Sequence, residues 1–135
     1  FITHEMGEKF DCILIDAPCS ASGLIQKKPE MLVFKKNIND LKLKQKLMLE
    51  KASKLLKDGG YLIYCVCSII SSEGEEQIKA FLKNFKNFSL FNCFSPIESF
   101  GTVNDDPPYF FTTPDLSSEH GGIDGFFIAC LKKNY

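Results

Sequence analysis

Two cysteines stand where an apolar run gives way to a turn. Cys19 lies in Ile15-Asp16-Ala17-Pro18-Cys19-Ser20-Ala21-Ser22-Gly23, directly after Phe10-Asp11-Cys12-Ile13-Leu14-Ile15. Cys67 follows Tyr61-Leu62-Ile63-Tyr64-Cys65-Val66. Pro18 cannot extend a strand ladder and pushes Ala17 toward an extended conformation, so the chain leaves the sheet there and presents Cys19 at its rim. Ligands of open α/β sheets sit outside the carboxyl ends of the strands, where a thiolate is placed to act as a nucleophile. If the two runs are neighbouring strands, about 4.8 Å apart, both thiols face one pocket. The alternative is a structural role: free cysteine is a small, commonly buried hydrophobe, and Cys12, Cys93 and Cys130 read that way, with Cys65 pointing into the sheet. A metal site is not expected, since Cys65-Val66-Cys67 lacks zinc-knuckle spacing and His4 and His120 lie in unrelated segments.

The elements that must position these thiols follow in order. Phe10 to Ile15 shows no clean alternation and suits a strand buried on both faces of a parallel sheet. Leu24 to Lys36 is a mixed connector, after which Asn37 or Asn39 caps an amphipathic helix from about Asn39 to Lys57, ended by Asp58-Gly59-Gly60. The second strand, Tyr61 to Val66, completes a parallel crossover unit. Ser72-Glu73-Gly74-Glu75 matches a capping box and predicts a second helix from about Glu73 to Lys83. Phe88 to Phe91 is a short strand. Asn92 to Ile123 reads as a long loop with one brief extended segment around Tyr109-Phe110-Phe111. Phe126 to Leu131 then returns as an antiparallel strand.

The 135 residues, 44% hydrophobic with 13 phenylalanines, suffice for one domain core. Six cysteines without a loop framework read as reduced thiols in a cytoplasmic setting. No apolar run approaches the roughly 20 residues of a membrane span. A net charge of -1 argues against wholesale coating of nucleic acid. Ten lysines between Lys27 and Lys57, however, face only Glu30, Asp40 and Glu50, so this stretch is either a phosphate-tracking surface or a solvated helix face. The chain opens at Phe1 and enters its first strand by about residue 9, as expected of part of a longer protein.

Asp16-Ala17-Pro18-Cys19-Ser20 with Gly23, then Tyr64-Cys65-Val66-Cys67-Ser68-Ile69, then Asp124-Gly125-Phe126-Phe127-Ile128-Ala129 resemble three successive motifs of the Sun-type (RsmB-like) RNA cytosine-5 methyltransferases. Pro29-Glu30, Gln45 and the Glu73 to Glu76 cluster are lesser marks of the same family. The resemblance implies a Rossmann-like α/β methyltransferase fold, of which residues 1–135 form the carboxy-terminal part, parallel strands plus an antiparallel return, without the amino-terminal cofactor-binding half. It implies S-adenosylmethionine as cofactor and a cytosine in structured RNA, ribosomal in preference to transfer RNA, as substrate. Carbon 5 of cytosine is a poor nucleophile until a thiolate adds to carbon 6. By the resemblance Cys67 is that nucleophile, and Cys19 assists proton removal and product release. Asp16 lies by the cofactor and the substrate amine, and Asp16, Pro18 and Ser20 contact the base. Asp124 and Gly125 set a turn.

Local electrostatics agree with that division. A helix start about five residues after Cys67 lowers its thiol pKa, whereas Asp16 raises that of Cys19. Ala21-Ser22, Cys65-Val66 and Gly74 depart from the family pattern without touching the nucleophile. Without the missing half, the chain is expected to bind the cofactor poorly and to be inactive alone. A non-catalytic RNA- or protein-binding remnant of the fold, or a dithiol redox protein using Cys19 and Cys67, are the other readings.

Overall fold

The structure, a computed structural model, describes residues 9–32, 37–116 and 118–135. His4 and the end of the Leu24 to Lys36 connector lie outside the described residues. Strand β1 (Phe10–Asp16) leads through 3-10 turns at Ser22–Leu24 and Pro29–Leu32 toward helix α1 (Ile38–Leu55) and strand β2 (Leu56–Val66). Helix α2 (Glu75–Asn84) and strands β3 (Phe88–Leu90), β4 (Thr102–Val103), β5 (Phe110–Thr112) and β6 (Phe126–Lys133) follow. The sheet order is β1-β2-β6-β5-β4, with β3 also paired to β6. β1 and β2 run parallel, Ile15 opposite Tyr64 and Asp16 opposite Cys65. The other pairs are antiparallel, so β6 returns beside β2 as the sequence predicts.

Alternation along β2 divides two cores. Leu62, Tyr64 and Val66 pack with Leu49 and Ala52 of α1, Ile78 and Phe81 of α2, and Ile15 of β1, which places both helices on one face. Tyr61 and Ile63 face the other way, onto Phe94, Phe110 and Cys130. This second cover does not extend over β1. The expectation of a strand buried on both faces therefore fails: Leu14 is 65% exposed and Cys12 and Asp16 are exposed. β1 ends the strand order, and among the described residues its outer edge has no partner strand.

Three local expectations are also corrected. α1 is capped by Asn37, whose side chain accepts from the N–H groups of Asn39 and Asp40, but it stops at Leu55 and runs straight into β2. Asp58-Gly59-Gly60 is not its terminus. It forms an irregularity inside β2, where the register jumps from Phe10–Leu56 to Cys12–Tyr61 and Gly59 takes φ 79°. α2 begins at Glu75 after a 3-10 turn over Ser71–Glu73, with Gly74 at its cap and no side-chain cap bond. The Ser72 capping box does not form; the Ser71 hydroxyl instead reaches Glu76 at 3.0 Å. Asn92 to Ile123 holds two short strands rather than one, because β4 and β5 pair as a ribbon that β5 joins to β6.

Candidate active site

The carboxyl ends of β1 and β2 turn toward each other. Ala17 N–H still donates to the Cys65 carbonyl at 3.0 Å, after which Pro18 ends the ladder. Cys19 and Cys67 then meet with their sulfurs 3.3 Å apart. The Cys19 turn is fastened across the sheet end: Gly23 N–H donates to the Cys67 carbonyl at 3.1 Å and Gly125 N–H to the Gly23 carbonyl at 2.8 Å. A Cβ on Gly23 would strike the Gly125 carbonyl, so this approach needs glycine. Ala21, one of the departures from the family pattern, takes a left-handed φ of 59° to make the turn.

Beneath the thiols lies Glu73, wholly buried. Its Oε1 accepts from Ser20 N–H at 2.9 Å and from Gln45 Nε2 at 3.2 Å. Its Oε2 accepts from the hydroxyls of Ser20 and Ser68, each at 2.6 Å. Four donors match the four lone-pair sites of a carboxylate, which makes the burial of this group tolerable. With both those hydroxyl protons directed at Glu73, the 2.9 Å contact between Ser22 and Ser68 leaves Ser22 Oγ as the donor. Gln45 also donates to the Pro18 carbonyl at 3.0 Å, tying α1 to both turns. Tyr64 fixes the backbone of the same residue, its hydroxyl donating to the Glu73 carbonyl at 2.6 Å.

The electrostatics differ from the sequence expectation. Burial is the main cause that pushes the Cys19 thiol up from its ordinary 9.0 to about 12; an Ala21 backbone hydrogen bond opposes it, and Cys67 and Glu73 add to it. Asp16 acts instead on its strand neighbour Cys65, which burial first and Asp16 second push up to about 11. A helix start close to Cys67 is absent as well: α2 begins at Glu75, two residues later than the sequence suggests, behind the 3-10 turn. The Asp16 side chain is exposed and accepts no side-chain hydrogen bond among the described residues, so it is available to an amine donor.

Asp16, Pro18, Cys19, Ser20 and Cys67 thus share one rim, with Asp16 beside Cys65 rather than Cys19. Asp124 bonds Lys27 at 3.0 Å and, through its carbonyl, the Thr112 hydroxyl at 2.6 Å, in keeping with a turn residue. Of the cysteines read as buried packing groups, Cys130 is buried while Cys12 and Cys93 are exposed. Among the described residues no three His, Cys, Asp or Glu side chains gather as a metal requires, and no helix is long and apolar enough to cross a membrane.

The roles of Glu73, Ser68 and Gln45 were not legible as chemistry. Gln45 carried a signal: it falls four residues after Leu41 and three before Met48, on the apolar side of α1, where a polar group must find a partner. Beyond Ser68 a cavity of about 320 Å³ opens between the start of α2 and strands β5 and β6.

Residues 2–132 match a family model described as 16S rRNA methyltransferase RsmB/F. The chain is 38% identical over 128 residues to ribosomal RNA small subunit methyltransferase B of Enterobacter sp., covering 93% of this chain and 27% of that protein. It therefore spans roughly a quarter of the length of that relative. Among solved structures, NSun6 from Pyrococcus horikoshii with SFG superposes with a TM-score of 0.75 at 28% identity, covering 96% of this chain and 32% of the other. The protein PH0851 superposes with a TM-score of 0.80 at 35% identity, covering 95% and 28%.

Proposed function

This chain belongs to the 16S rRNA methyltransferase RsmB/F family, and on that premise we propose that the protein it is part of methylates carbon 5 of a cytosine in ribosomal RNA, in the cytoplasm, through a covalent cysteine adduct. The observation that carries this reading is the 3.3 Å contact between Cys19 and Cys67 at the rim of two parallel strands. Residues 1–135 serve as the carboxy-terminal part of one catalytic domain, the rest of which holds most of the cofactor. S-adenosylmethionine supplies the methyl group when bound. From this chain the exposed Asp16 carboxylate fits its amine, or that of the base, as a hydrogen-bond acceptor.

The division of labour follows from the two thiols. Burial keeps Cys19 protonated, so the 3.3 Å contact is read with the Cys19 S–H as donor, which leaves Cys67 Sγ as the attacking sulfur. Cys67 Sγ bonds carbon 6 of the cytosine, and carbon 5 becomes electron-rich enough to take the methyl group. Once Cys67 is bonded to carbon, its hydrogen bond with Cys19 is gone; Cys19 gives its proton to water at the rim, and the thiolate so formed takes the proton from carbon 5. The bond from carbon 6 to Cys67 breaks, and its electron pair returns to sulfur. Pro18 shapes the floor of the base site. Ser20 acts from beneath it, locked to Glu73 by two bonds. A stacked base cannot reach both sulfurs, so the target is unpaired or flipped out.

The test uses the complete protein and RNA carrying 5-fluorocytosine, which stalls the adduct. The wild type is expected to trap RNA, Cys67→Ser to trap none, and Cys19→Ser to accumulate covalent complex on ordinary cytosine. Trapping that survives Cys67→Ser overturns the assignment of the nucleophile. A wild type that traps nothing, but forms a Cys19–Cys67 disulfide reversibly with thiols, returns the protein to the dithiol redox reading.

A further inference from the structure

The cavity beyond Ser68 lies next in the chain to Cys67, yet neither thiol lines it. Its volume, about 320 Å³, is at the small end of the range for ligand sites. Its walls are aromatic. Phe126 and Phe127 of β6 and Phe111 of β5 line it together with Tyr109, whose ring packs on Phe127 at a centroid distance of 5.2 Å. Tyr109 is 2% exposed, and its hydroxyl has no hydrogen-bond partner among the described residues. Tyr109 is itself one of the residues that line the cavity. Burial, followed by Glu75, pushes its hydroxyl up to about 12, which keeps it a donor. Glu75 stands on the same wall with one oxygen on Lys79 at 2.6 Å, and Asn104 presents an amide.

Aromatic walls with hydrogen-bonding groups at the edge suit a flat heterocycle, the way unstacked RNA bases are read. A phosphate is disfavoured, since the start of α2 that borders the cavity carries Glu75 and Glu76 in its first turn. We propose that the cavity receives the base of a nucleotide adjacent to the target cytosine, and that Glu75, Asn104 and the Tyr109 hydroxyl select a base presenting an amino group over uracil. Glu75 accepts from the amino group and Tyr109 donates to a ring nitrogen or carbonyl. This rests on the reading of RNA as the substrate, and it adds a sequence preference at a position the thiols do not touch.

The experiment measures methylation by the complete protein on RNAs in which each neighbour of the target is varied in turn, with 5-fluorocytosine trapping alongside. At one neighbouring position, uracil should raise KM about tenfold over an amino-bearing base, the effect of losing one hydrogen bond to a charged group. Glu75→Gln and Tyr109→Phe should erase most of that difference while still forming adduct, and Lys79→Ala, which only releases Glu75 from its ion pair, should retain it. Adduct formation with no neighbour preference in the wild type, or with the preference intact in both variants, overturns the cavity assignment alone. Absence of any adduct in the wild type overturns the methyltransferase reading, and this one with it.

Discussion

Ser20 gives both its backbone N–H and its hydroxyl to the Glu73 carboxylate, at 2.9 and 2.6 Å, across 53 residues of chain. The two bonds hold the Cys19 turn against the segment that follows Cys67. Glu73→Gln keeps the shape but turns an amide NH2 toward groups that are themselves donors. The expected loss is about 3 kcal/mol of unfolding free energy, against about 1 to 2 kcal/mol for Ser20→Ala. The double variant should lose less than the sum by at least about 0.5 kcal/mol, since both changes remove the same bonds. Urea unfolding of the four proteins gives the coupling; additivity would mean that the contact does not tie the turns together.

Alkaline pH should loosen the fold through the buried thiols. An unfolded thiol releases its proton near its ordinary 9.0, while folded Cys19 holds it to about 12 and folded Cys65 to about 11. Between those values the folded state binds more protons than the unfolded one, so stability falls as pH rises and is fully present below 9. Each such thiol contributes a slope of up to about 1.4 kcal/mol per pH unit. Urea midpoints from pH 8 to 10.5 should therefore fall more steeply for the wild type than for Cys19→Ala. Parallel slopes would show that Cys19 is not held protonated.

The sequence was most readable where chain direction alone decides placement. Cys19 and Cys67 end two runs joined by one helix, and a parallel crossover brings such ends to the same rim, which the structure shows. It was least readable where a residue's partner is distant in the chain. Glu73 looked like the start of a helix because Ser72 and Glu75 have capping-box spacing, but its carboxylate is claimed by Ser20, Ser68 and Gln45 and the helix starts beyond it. Asp58-Gly59-Gly60 looked like a helix stop because glycine favours that role, whereas the same left-handed freedom serves the irregularity in β2. The exposure of Leu14 was hidden for another reason: an apolar run reports what a strand can bury, not whether a neighbour is there to cover it.

Two glycine substitutions separate crowding from strain. At Gly23 an added methyl meets the Gly125 backbone, which cannot yield without breaking the 2.8 Å bond between the two residues. Gly23→Ala should cost about 3 kcal/mol and displace Cys19 enough to abolish adduct formation. At Gly121 φ is 91° and nothing lies within 4 Å of an added Cβ, so Gly121→Ala carries only backbone strain, about 1 to 2 kcal/mol, and should leave the adduct intact. The pair is compared by urea unfolding and 5-fluorocytosine trapping. Equal effects on trapping would mean that the contact of Gly23 with Gly125 does not place Cys19.

The open face of β1 should behave differently in this 135-residue chain and in the complete protein. Leu14 is 65% exposed on a strand whose outer edge is unpaired among the described residues. A bare apolar face beside an unpaired edge invites association. The chain spans only 27% of its Enterobacter relative, and we propose that the remainder of the protein covers this side. Leu14→Asp in the complete protein would then bury a charge in place of a leucine, with an expected cost above about 2 kcal/mol. In the 135-residue chain the same change should cost less than about 0.5 kcal/mol, as for an ordinary surface position, and should reduce self-association in sedimentation measurements. An equally small cost in both would place Leu14 in solvent throughout and leave β1 as a true edge of the complete sheet.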